Sequence, residues 1–132
     1  MEGFVFIEFT EPEIWFICFV LVLSVLDVLT GWVQALINRS FSSTKMREGL
    51  LHKMVLVLII VLAIAIQAFT AHIGDTGWSL PLIFPVCAYI AIMEVASILE
   101  NIKAAYPEIA DSPLFGLFEN HGASGKSDKD GE

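Results

Sequence analysis

Two carboxylates stand where a carboxylate is costly. Asp27 and Glu94 each interrupt a run of apolar residues. An acid at the centre of a membrane helix costs ~2.5–3.5 kcal/mol on insertion scales, so something must face it. Three arrangements would answer Asp27. It is bonded or protonated inside a helix bundle, it faces the water-filled lumen of an oligomer, or its span is shifted so that it lies near the interface. Glu94 poses the same question. Asp27 also belongs to a stripe. Ser24, Asp27, Thr30, Gly31, Gln34 and Asn38 recur at three- and four-residue steps, which places them on one helical face. The candidate water-facing set is therefore Ser24, Asp27, Thr30, Gln34, Asn38 and Glu94. A single copy is expected to satisfy such faces poorly, so self-association into a homo-oligomer is the expected remedy.

Other chemistry is not supported by the residues. There is no G-x-S-x-G, no H-E-x-x-H and no Gly-rich phosphate loop, so no enzymatic activity, cofactor or metal is expected. His52, His72 and His121 are far apart in the chain. Cys18 and Cys87 sit in apolar runs without C-x-x-C spacing, as small buried apolar residues do. Gly31 and Ala35 form a small-xxx-small pair that permits close helix approach. Asn38-Arg39-Ser40 matches a glycosylation sequon in a segment expected to be cytoplasmic, and is read as chance.

The elements that position these residues are membrane spans. Over 132 residues, 56% are hydrophobic and 17% charged, more apolar than a soluble domain of this length. From Ile14 to Leu26 the only strongly polar side chain is Ser24, and from Met54 to Ile66 there is none. Met1 to Glu13 reads as an acidic lead, in which Glu2, Glu8, Glu11 and Glu13 alternate with Phe4, Phe6, Ile7 and Phe9. No basic n-region precedes the first apolar run, so it is not read as a cleaved signal. Glu11-Pro12-Glu13 marks a helix start. The first span covers about 14–37, the second about 50–71 and the third about 80–100. Pro85 either kinks the third span or marks its true start, and a helix lying in the interface is the alternative for this segment. The transmembrane helical domain is thus 14–105. A tail follows at 106–132, in which Pro113 and Gly116 are expected to break any helix. From about residue 122 it is Gly, Ser, Asp and Lys in low-complexity order and reads as disordered. The fold class is all-α integral membrane, with about three transmembrane helices.

Charge placement gives an orientation. Asn38 to Lys53 is read as a connection holding Arg39, Lys45, Arg47 and Lys53 against one acid, Glu48. Basic residues between spans mark the cytoplasmic side and touch anionic lipid headgroups. The 70–79 connection has no lysine or arginine and suits the outer side, with Trp78 at that interface. The expectation is an N-terminus outside and a C-terminus in the cytoplasm. A net charge of −8 disfavours nucleic acid as a partner.

Three segments in register carry a resemblance. Asp27-Val28-Leu29-Thr30-Gly31 closes the first span. Ser42-Ser43-x-Lys45-x-Arg47-Glu48-Gly49-Leu50-Leu51-x-Lys53 opens the second. Glu94-x-x-Ser97-Ile98-Leu99-Glu100-Asn101 ends the third. In this order they resemble the toxin-secretion/phage-lysis holins of bacteriophages and Gram-positive bacteria, over roughly Asp27 to Asn101. The resemblance implies a small protein of the bacterial inner membrane that accumulates, oligomerises and opens a lesion through which an endolysin or a large toxin escapes. It marks Asp27, Gly31, Arg47, Glu48, Gly49, Glu94 and Glu100 as characteristic and implies no catalytic residue. Where holin-like proteins often end in a basic tail, this one mixes Lys126 and Lys129 with Asp128, Asp130 and Glu132. An antiholin-type regulator, a non-opening anchor and a small ion or proton channel are the other functions these residues allow.

Overall fold

The computed structural model describes residues 7–73 and 78–122. The acidic lead up to Phe6, the connection at 74–77 and the low-complexity tail from 123 lie outside the described residues. The order is α1 (Glu11–Ile37), α2 (Ser43–His72), α3 (Ile83–Ala105), a 3₁₀ turn (Pro107–Asp111) and α4 (Pro113–Gly122). Three of these, α1, α2 and α3, are long and apolar enough to cross a membrane.

Local chemistry sets the ends. At α1, Pro12 occupies the first turn, where its missing N–H is no loss. Glu13 Oε2 accepts from Thr10 N–H at 2.9 Å, the carboxylate half of a capping box. At the other end Arg39 takes the left-handed conformation, φ 50°. It places Ser40 N–H 2.9 Å from Ala35 O and Arg39 N–H 3.3 Å from Leu36 O, the paired bonds of a Schellman stop. Ser42 then caps α2, accepting from Lys45 N–H at 3.5 Å.

Two expectations need correction. The basic segment 38–53 is not one connection, since helix begins at Ser43 and only 38–42 remains as link. The Ser42 cap starts the helix early, and Lys45, Met46, Arg47 and Glu48 are good helix formers. Nor do Pro113 and Gly116 prevent a helix in the tail. Pro113 opens α4 and Gly116 lies inside it, because proline fits a first turn and one glycine costs only about 1 kcal/mol. Pro85 falls in the first turn of α3, which starts at Ile83.

α1 and α3 run parallel and pack along their length, from Phe16 against Phe84, with ring centroids 5.8 Å apart, to Asn38, whose Nδ2 donates to Ala104 O at 3.0 Å. α2 runs antiparallel to both and touches them more sparsely. The buried cluster joins Val20 and Leu23 of α1, Leu56 and Ile60 of α2, and Ile83, Cys87, Ile90 and Ala91 of α3. Away from it the large apolar side chains point outward, as Val25, Leu58, Leu62 and Ile92 do. A lipid-facing surface should look like this. Trp15 and Trp78 are both exposed at the end where α2 passes to α3, the placement of an aromatic belt.

Ile90 is 1% exposed and Ile92 is 71% exposed, so one helix offers a matched comparison. Ile90→Ala should lower stability by about 2–5 kcal/mol, while Ile92→Ala leaves it near wild type. Thermal unfolding of the purified protein in detergent measures both.

Candidate functional site

The carboxylates of Asp27 and Glu94 converge on one side chain, Lys53. Its Nζ lies 2.6 Å from Asp27 Oδ2 and also donates to Glu94 Oε2. Lys53 is ten residues into α2, Asp27 ten residues before the end of α1, and Glu94 eleven before the end of α3. At 1.5 Å per residue each lies roughly 15 Å from the same end of the bundle. The three side chains are 15%, 10% and 1% exposed. Lys53 therefore departs from its expected role. It turns inward about a third of the way along α2 and does not join Arg39, Lys45 and Arg47, which are exposed at the end of the bundle.

Asn101 completes the site. Its Nδ2 donates to Asp27 Oδ1 at 3.0 Å, to Thr30 Oγ1 at 3.2 Å and to Asp27 O at 3.3 Å. Thr30 Oγ1 donates in turn to Asp27 O at 3.0 Å. A Cβ at Gly31 would meet Asn101 Nδ2 at 3.5 Å, an ordinary van der Waals contact. Asp27 thus has partners from both other helices. The expectation that one copy satisfies its polar face poorly is corrected at Asp27, Thr30 and Asn38, because α3 supplies Asn101 and the Ala104 carbonyl. The satisfaction is incomplete at Glu94, whose Oε1 is buried without a partner among the described residues. Two carboxylates also face one ammonium.

A partly open cavity of about 310 Å³ runs from the α1–α2 link to Asp27 and Lys53. Asp27 and Lys53 line it together with Gly31, Gln34, Lys45 and Gly49. Ser24 is half-buried. Arg47, Glu48 and Glu100 are exposed and do not join the trio. Of the characteristic set, then, Asp27 and Glu94 meet through Lys53, and Gly31 and Gly49 line the cavity beside Asp27 and Lys53.

A second polar contact stands at the opposite end. Gln67 Nε2 donates to Glu13 Oε1 at 2.6 Å, and Gln67 Oε1 accepts from Ile83 N–H at 3.1 Å. Thr70 Oγ1 accepts from Leu80 N–H at 3.0 Å. Leu82, at the cap of α3, has no acceptor side chain. α2 therefore supplies the acceptors that the start of α3 lacks. Sequence reasoning missed Glu13 and Gln67 as a pair. The available signal was the absence of Ser, Thr, Asp or Asn immediately before α3.

Lys53→Met would leave Asp27 and Glu94 facing each other without their cation. Removing one partner of a buried ion pair should cost about 3–5 kcal/mol. Replacing all three by apolar residues of similar size should restore most of the loss. Thermal unfolding in detergent reports both variants.

No curated relative and no solved structure matches the chain. The model of the bacteriophage holin family does match, over residues 5–109. That stretch contains α1, α2 and α3, the charged trio and the Glu13–Gln67 contact. Three membrane-competent helices gathered around buried polar groups, under a family model that spans most of the chain, make this protein a member of the bacteriophage holin family.

Proposed function

We propose that the protein assembles with further copies of itself in the bacterial cytoplasmic membrane and opens a lesion through which an endolysin or a large toxin leaves the cell. The observation that carries this reading is the buried charged trio, roughly 15 Å in from the end of the bundle. Asp27, Lys53 and Glu94 are too polar for lipid, and a closed copy keeps them within the bundle. In an assembly the same groups, with Gln34 two turns further along α1, turn to a shared aqueous centre.

The closed copy is then the resting form, and opening requires Lys53 to part from Asp27 and Glu94. Water replaces those partners at little cost once the faces are wet, and at great cost while lipid surrounds them. No binding site for the cargo is needed, since a sufficiently wide lesion passes any folded protein. Arg39, Lys45 and Arg47 lie on the cytoplasmic side, by the basic-residue rule, so the N-terminus is outside and the tail inside. The cavity beside Asp27 and Lys53 favours one second reading, a small ion or proton channel. An antiholin that shares the closed fold without opening is the regulatory counterpart.

Induced expression in a bacterium loaded with a folded fluorescent protein separates these readings. Loss of membrane potential with release of the intact reporter is expected. Loss of potential without release means a small channel or a narrow lesion. Full potential, with the protein present in the membrane, means a regulator or an anchor. Asp27→Asn should insert normally and change the time at which potential is lost. An unchanged schedule removes Asp27 from the opening step.

A further inference from the structure

Glu13 and Asp27 stand fourteen residues apart in α1, and Lys53 and Gln67 fourteen apart in α2. Fourteen residues are close to four helical turns, so each pair shares a face about 21 Å apart along its helix. The helices are antiparallel, and the two pairs meet: Asp27 with Lys53, Glu13 with Gln67. Between these points α2 contributes only Leu56, Ile60 and Ala63 as deeply buried residues. α1 and α3, by contrast, pack on each other throughout. α2 is thus an apolar helix fastened to a firmer α1–α3 pair by two polar contacts, one toward each end.

We propose that Glu13 and Gln67 form a second latch, that α2 is the element released on opening, and that Gln67 helps to set the time of release. This rests on the lesion-forming reading and adds a residue to it. Gln67 suits the role because one side chain makes both connections. Its amide N–H reaches Glu13 of α1 and its carbonyl receives the Ile83 N–H of α3. When α2 leaves, three helices lose a partner at once. Outward movement exposes little new apolar surface to water, because the outer face of α2 already faces lipid. What separation loses is mainly polar contact, so the polar residues govern how readily it happens.

The test uses the full chain with Cys18→Ser and Cys87→Ala, and spin labels at positions 14 and 69, where the native side chains are 49% and 54% exposed. Reconstituted vesicles report the distance between labels, and induced cells report the onset of depolarisation. Gln67→Leu makes α2 more apolar, so poor insertion cannot explain its effect. It should add a population longer by about one helix diameter, ~10 Å, and bring depolarisation forward about twofold or more. Gln67→Glu sets two carboxylates against each other and should do the same. Parent-like distance and timing in Gln67→Leu would overturn the latch. Delayed onset with the short distance would overturn it too, since Gln67 would then serve assembly. A parent chain that never depolarises cells defeats the lesion-forming reading alone, and the label distances still decide whether Gln67 holds α2.

Discussion

The structure depends on one ammonium group. Lys53 sits where a helix passes through apolar surroundings, and it is tolerable there because Asp27 and Glu94 meet it from two other helices. Each of the three charges alone would be costly in the bilayer. Together they make each helix necessary to the other two. The trio therefore acts as a registration point. It fixes the depth of α2 against α1 and α3, and from that depth Gln67 falls opposite Glu13. Apolar packing in lipid cannot supply such a register by itself, because lipid chains contact leucine and valine as well as protein does.

The network is satisfied unevenly. Asp27 has Lys53 and Asn101, while Glu94 keeps one oxygen without a partner among the described residues. A fully paired buried network stiffens a fold, and an unpaired buried oxygen costs it stability. The cavity from the α1–α2 link is lined by Asp27 and Lys53 of the trio. The neighbouring Gly31 and Gly49 also line this cavity. Of the two, only Gly31 has another helix within contact distance of an added Cβ.

Much of this was legible in the sequence. The apolar runs specified three spans, and the three- and four-residue spacing put Asp27, Thr30 and Asn38 on one face. That spacing could not say whether the face met water or protein. The answer lay in other helices, and in α2 the neighbours Lys45 and Arg47 make Lys53 read as one more headgroup lysine. A stricter use of periodicity would have separated it. Lys53, Leu56, Ile60, Ala63 and Gln67 follow alternating steps of three and four, which is the inner stripe of a packed helix. Ile83, Cys87, Ile90, Glu94, Ser97 and Asn101 do the same in α3. A lysine on the same stripe as buried aliphatics signals an internal partner. The length of the basic link was misjudged for a different reason. Ser42 is a strong cap, and a cap can start a helix well before its apolar face begins.

A holin, on the function proposed here, must wait and then act together with its neighbours. The chemistry of this bundle suits that demand better than a large apolar core would. Hydrogen bonds and ion pairs within a membrane are worth modest net energy, because helices that separate find equivalent polar partners elsewhere. Asp27, Lys53, Glu13 and Gln67 would find such partners on other copies of the chain. Pairing within one copy is independent of how much protein the membrane holds, whereas pairing between copies strengthens as protein accumulates. The two compete for the same side chains, so exchange becomes favourable only above a threshold density. Each copy that gives up its internal contacts offers unpaired groups to the next. On that reading, delay followed by abrupt opening would follow from mass action on a few buried polar residues.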